Sequence, residues 1–230
     1  MPALYRAGLT IPLGGASNHF RIDILRKLGA WDIYNVTEDC DLDTRLAHYQ
    51  YKTAILDSTT YEEANSRVKN WIRQRSRWIK GLMQTYLVYT RTPRRFAQPK
   101  RWRELVSLQF VIGGNFSASI AGPCLWLLLA CTGLLWLVLG HQIFLLTALV
   151  CAAGLLCGNI LSMGLALLGC AKRRQYDPLK WMGLQPLYIF LLGLGALVAV
   201  YQIIAKPHYW EKTDHGLGSQ EPVHVSTKKN

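Results

Sequence analysis

With 230 residues, half of them hydrophobic, and a formal net charge of +12, the chain could hold one ordinary domain, or a smaller polar part joined to a membrane part. Its charge is segregated: Leu105–Ala171 contains no Lys, Arg, Asp or Glu, while Arg67–Arg103 is crowded with Lys and Arg and has no acid. A basic belt beside a long uncharged block argues against a single soluble domain and against nucleic acid as the partner, and for the anionic face of a membrane.

Leu13-Gly14-Gly15-Ala16-Ser17-Asn18-His19-Phe20 pairs two glycines with short polar residues, which suits a tight turn and a close approach of backbone to a ligand. Asp23–Leu28 reads as a short helix closed by Gly29. Thr37 is placed to cap a helix running to about Tyr49, with Glu38 and Asp39 in its first turn. Two acids there satisfy the helix dipole, which is capping chemistry. The same placement would hold Asp39 ionised as a general base for a hydroxyl proton. Asp41 and Asp43 have D-x-D spacing, but i and i+2 point to different sides of a helix, and Asp41 should pair with Arg45; we read no metal site here. Lys52–Asp57 reads as a strand, and Thr60-Tyr61-Glu62-Glu63 as a capping box or a loop beside the next helix.

Asn65–Arg91 repeats apolar residues every three or four positions, predicting a one-sided helix that Pro93 ends. Gln74, Arg77 and Trp78 stand at i, i+3 and i+4 and form one patch of amide, guanidinium and indole. That patch suits a sugar joined to phosphate; it also fits an amphipathic helix with a wet basic face. Arg73 and Arg75 are read as outside this patch.

T-E-D at Thr37–Asp39 followed by Q-x-x-R-W at Gln74–Trp78 resembles the paired motifs of the membrane-embedded family 2 glycosyltransferases, the group of the cellulose, hyaluronan and chitin synthases. The resemblance implies that residues 1–92 form the C-terminal half of an α/β GT-A catalytic domain. It implies Asp39 as catalytic base, with Glu38, Gln74, Arg77 and Trp78 binding substrate and Trp78 stacked under the acceptor sugar. It places Gly15, Ser17 and Asn18 in a turn beside the acceptor. That family holds a divalent cation, Mg or Mn, on acids upstream of the T-E-D. The stretch before Asp39 is too short for a nucleotide-binding βαβ pair, which needs roughly 30 residues per unit. The expectation is a C-terminal piece of a longer enzyme, without metal ligands of its own and inactive alone.

Residues 93–205 read as a helical membrane domain. Arg94–Glu104 suits a helix lying in the membrane surface. Gly122-Pro123 should divide Leu105–Leu139 into an interfacial helix over 105–121 and a crossing over 122–139. Gly140-His141-Gln142 makes an outer loop, 143–171 crosses back, and Lys172-Arg173-Arg174 mark the inside. A third apolar segment, 179–205, is long enough to span. In the tail, 206–230, Trp210-Glu211-Lys212-Thr213-Asp214-His215-Gly216 resembles the same family's gating loop, with Trp210, Lys212, Thr213 and His215 over the donor site. A cytoplasmic tail requires the third segment to lie in the interface or to bend back at Pro186.

The reading is an inverting glycosyltransferase, multi-pass in a bacterial inner membrane, with its catalytic part cytoplasmic. Its partners would be a nucleotide-sugar donor, a glycan acceptor, the lipid membrane and other subunits of a polysaccharide export system, with no nucleic acid. The rivals are a non-catalytic receptor or export scaffold that keeps the shape, and a basic membrane-surface binding protein.

Overall fold

The computed structural model describes residues 2–91 apart from Asp57, Thr59 and Tyr61, then 101–207 and Tyr209. The first helices are short: α1 (Pro2–Arg6) and α2 (Ile22–Lys27). Gly29 ends α2 as its position requires, at φ +80°, with its N–H and that of Ala30 returning to the carbonyls of Arg26 and Leu25. Helix α3 (Glu38–His48) lays Leu42 and Leu46 on Leu25 and Leu28, a small apolar core. The expected Asp41–Arg45 pair forms, at 2.8 Å.

One expectation for this part is corrected, and of the two readings of Thr60–Glu63 the described residues fit the loop. Residues 51–56 are irregular where a strand was expected, and the described residues contain no strand, so the α/β pattern is not realised among them. A strand is held by ladder bonds to a neighbour, and no described segment supplies one. Helix α4 (Val68–Thr90) begins after the proposed capping box; Arg67 precedes it without a side-chain cap, and Glu62–Arg67 form an irregular, mostly exposed lead-in.

Two neighbouring stripes of α4 organise the chain. Ile79 and Met83 pack on Leu192, Ala196 and Ala199 of α8 (Gln185–Ala205), with Phe116 and Ile120 of α6 (Gly114–Leu139) joining the cluster. Gly195 lets α8 touch the α4 backbone: a Cβ there would lie 3.5 Å from the Ser76 nitrogen and 3.6 Å from the Ile72 carbonyl oxygen. Small residues permit such close helix contacts where lipid provides no hydrophobic drive. On another side, Leu82, Tyr86 and Tyr89 pack with Cys40 of α3 and with Leu108 and Ile112.

The expected break at Gly122-Pro123 is also corrected. Helix α5 (Trp102–Val106), a π-helical turn (Ser107–Gly113) and α6 form one continuous run, with Pro123 inside α6. The Pro123 ring fits over Gly193, where a Cβ would come within 2.7 Å of its Cδ. Proline is tolerated inside apolar helices where a neighbouring helix packs against it. The irregularity falls instead at the π turn, where a Cβ on Gly113 would meet the Tyr86 ring at 3.0 Å.

Gly140, left-handed at φ +68°, ends α6, and α7 (Gln142–Arg173) returns beside it. A 3₁₀ segment (Asp177–Leu184) continues directly into α8, with Pro186 in its first turn, and Gln185 donates to Ser162 of α7 at 2.9 Å. Among the described residues, Trp102–Leu139, Gln142–Arg173 and Asp177–Ala205 are long and apolar enough to cross a membrane.

Candidate functional site

Asp39 sits half-buried at the start of α3. Thr37 occupies the cap position, but its hydroxyl makes no cap bond and is buried without a hydrogen-bond partner, a correction to the capping expectation. The loop is shaped instead by Asn35, whose Oδ1 accepts the Thr37 N–H at 3.0 Å. Asp39 Oδ1 accepts the Cys40 N–H at 2.8 Å. Burial raises the Asp39 carboxyl above its ordinary range and the nearby charge of exposed Glu38 adds to this, while the Cys40 N–H opposes it.

The Thr37 side chain rests on Gly81 of α4, where a Cβ would stand 2.8 Å from Thr37 Cβ and closer still to its hydroxyl and methyl. One turn along, Asn35 Nδ2 donates to Thr85 Oγ1 at 3.0 Å. Gln74, Trp78, Gly81 and Thr85 follow one another at three- and four-residue steps, and Arg77 stands three after Gln74 and four before Gly81, so all five share a stripe of the helix. The T-E-D segment therefore lies across the stripe that carries the expected patch.

Within that patch Gln74 accepts a bond from Asn65 Nδ2 at 3.0 Å, and Asn65 is held in turn by Asn70. Trp78 is 42% exposed, and the guanidinium of Arg75 lies 4.3 Å from its ring centre and 5.3 Å from that of Trp71. Arg75 was not expected at the site. Its place, four after Trp71 and three before Trp78, is the signal that could have found it.

The glycine turn is divided. A Cβ on Gly15 would lie 3.8 Å from Asp39 Oδ2, so the turn reaches the Asp39 carboxyl. Ser17 and Asn18 serve the turn itself: Ser17, at φ +62°, shares a 2.6 Å bond with Thr60, and Asn18 bonds the Gly14 carbonyl. Both line a cleft of about 790 Å³ over Leu25, Leu28, Leu42 and Leu46, to which Asp39, Gln74, Arg77 and Trp78 do not contribute.

Asp41 and Asp43 diverge. Asp41 meets Arg45 and Tyr89, whereas Asp43, 1% exposed, lines a small cavity with His48 and Glu104, and burial raises its carboxyl well above the usual range. Among the described residues no three His, Cys, Asp or Glu side chains converge as metal ligands, so these residues do not fit a divalent cation. Trp210, Lys212, Thr213 and His215 lie outside the described residues.

Residues 4–200 match the glycosyl transferase family group 2. The chain belongs to that family. Among curated relatives of this glycosyltransferase chain, the beta-monoglucosyldiacylglycerol synthase of Synechocystis sp. is 35% identical over 36% of the chain. The probable glycosyltransferase YdaM of Bacillus subtilis is 36% identical over 31% of the chain. Each match spans 17% of the relative's length. No solved structure matches the chain.

Proposed function

We propose that this chain supplies the base and the acceptor-binding face of an inverting glycosyltransferase. It would move a sugar from a nucleotide-sugar donor to a glycan acceptor at the cytoplasmic face of a bacterial inner membrane. The supporting observation is the seat of Thr37 on Gly81, which sets the T-E-D segment against the α4 stripe that also carries Gln74, Arg77 and Trp78. In this reading Asp39 removes the proton of an acceptor hydroxyl as that oxygen attacks the sugar's anomeric carbon. The bond to the nucleotide diphosphate breaks on the opposite face, so configuration inverts, and Arg77 stabilises charge on the leaving oxygens. Trp78, partly covered by Arg75, offers its remaining surface to a sugar ring.

The GT-A fold and the Q-x-x-R-W assignment remain part of the proposal, as do other subunits of a polysaccharide export system. So does a Mg or Mn ion held outside the described residues, and we route no step through it. The tail motif from Trp210 to Gly216 would act at the donor side.

A second acceptor class is favoured by one observation. Helix α4 lies lengthwise on α8, so the patch stands beside apolar, membrane-length helices. A lipid hydroxyl could reach it there, and the Synechocystis relative's name contains a glucosyldiacylglycerol. The test supplies the full-length protein with labelled sugar nucleotides and either diacylglycerol vesicles or oligosaccharides. Label in the organic phase identifies the lipid acceptor, and label in oligosaccharide the glycan. Label in neither, with each common nucleotide sugar, would favour the non-catalytic scaffold.

A further inference from the structure

Asp43 is 1% exposed, and its Oδ1 is buried without a hydrogen-bond partner. It lines a cavity of about 20 Å³ where α3, Tyr89 of α4, Glu104 of α5 and the π turn meet. Thr10 closes that joint from the N-terminal side, its N–H donating to Ser107 Oγ at 2.9 Å. The cavity therefore lies where the helix that begins with Asp39 is fixed to the first membrane-length run. Among the described residues no counter-ion meets Asp43. On its own helix Asp39 adds like charge, the buried Cys40 thiol stays neutral, and Arg45 is paired with Asp41. His48 Nδ1 accepts from the Arg101 guanidinium at 3.0 Å, so that nitrogen carries no proton. From α4 the cavity receives the Tyr89 phenol, and from α5 the Glu104 carboxyl, 3.6 Å from His48.

A neutral carboxyl can be held in such a place, whereas an ionised one without a partner costs far more. The cavity has room for about one water, too little to solvate a carboxylate. Ionisation is then accommodated by parting α3 from the π turn so that solvent enters. We propose that Asp43 is a pH-operated latch between α3 and the membrane run: protonated, it lets the joint close; ionised, it opens it. The contacts that part are those of Cys40 on α3 with Leu108 and Ile112 of the π turn. The closed joint binds a proton that the open one releases, so closure is complete at low pH and weakens as pH rises. Burial holds the Asp43 carboxyl well above the usual range, which puts the opening above ordinary carboxylate titration. Asp39 stands one turn before Asp43 on the same helix, so opening displaces it. That consequence, though not the latch, rests on the proposed transferase reading.

The test follows amide hydrogen exchange by mass spectrometry in α3 and the π turn of the full-length protein in lipid nanodiscs. Wild type is compared with Asp43→Asn and Asp43→Leu at each pH, which cancels the base catalysis of exchange itself. One proton links opening to pH, so the wild-type-to-variant rate ratio should rise by up to about tenfold per pH unit above the raised value. Irregular residues 51–56, which do not line the cavity, should keep a constant ratio. A ratio in α3 and the π turn that stays flat between about pH 6 and pH 9 would overturn the proposal, as would a rise shared equally by 51–56. If Asp43→Asn fails to fold, Asp43→Leu decides, since either removes the titrating group. If neither folds, wild type alone decides, by whether its joint gains exchange over 51–56 as pH rises. Turnover should fall on the alkaline side in wild type and hold in Asp43→Asn. Turnover that ignores a clear exchange signal would support the latch and count against the transferase reading.

Discussion

Thr37 and Gly81 touch so closely that no side chain fits between them. Glycine in the middle of a helix costs about 1 kcal/mol relative to alanine, so its place in α4 calls for a packing reason, and Thr37 is that reason. We expect Gly81→Ala to push the T-E-D segment off α4. Turnover should fall about 10²-fold, since small misplacements of a catalytic group have effects of that order. Adding Thr37→Ala removes two of the three crowding atoms and should recover part of the loss. A single variant with wild-type rates would show that the contact does not position Asp39.

Asp39 itself gives a signed expectation. Its carboxyl is raised by burial, so the acid limb of kcat/KM should lie above the ordinary carboxylate range, with activity rising as pH passes upward through the raised value. The linkage has the opposite sense for stability. A raised carboxyl binds its proton more tightly when folded, so its stabilising contribution is complete below the ordinary carboxylate pKa and falls as pH rises through the raised one. Asp39→Asn should therefore be neutral or slightly stabilising at pH 7 while turnover drops about 10²–10⁴-fold. Thermal melts and rates on the same preparation check both signs; a destabilised but active variant would assign Asp39 a structural role.

Much of this arrangement was legible in local pattern. The Gly29 cap, the α3 span, the Asp41–Arg45 pair and the Gln74–Arg77–Trp78 stripe follow from helical period and capping chemistry, which act over a few residues. What escaped depends on distant partners. Gly81 looks like an ordinary helical glycine until Thr37 is laid on it, and Lys80 looks like a solvated cation until the end of α8 covers it. Pro123 reads as a helix break until Gly193 receives its ring. The strand at 52–57 failed for the same reason, because a strand is defined by its neighbour.

Arg75 and Arg73 should behave differently. Arg75 lies over Trp71 and Trp78 and packs at Gly195, so Arg75→Lys keeps the charge but loses the flat stacking surface. The loss should be about 0.5–2 kcal/mol, read as a higher acceptor KM and altered Trp fluorescence. Arg73→Lys should leave both near wild type, and Arg77→Lys should cost about 1–3 kcal/mol in transition-state stabilisation. Equal responses at all three positions would reduce the patch to a basic surface.

The final prediction concerns the side of the membrane on which α8 ends. Gly193 meets Pro123, and farther along α8 Ala196 and Ala199 share a cluster with Phe116 and Ile120, so α8 runs toward the N-terminal end of α6. Helix α7 runs the same way after the turn at Gly140. At that end Lys80 and Gln84 hold Lys206–Tyr209 on α4, whose other stripe carries the Asp39 segment. Two helices heading the same way cannot be successive full crossings, so α8, although long enough to span, should enter only part-way. Single-cysteine labelling in a cysteine-free background should then find His141→Cys outside, with Arg173→Cys and Lys212→Cys both inside. External labelling at 212 would mean that α8 crosses completely, and would separate the C-terminal segment from Asp39 and Arg77.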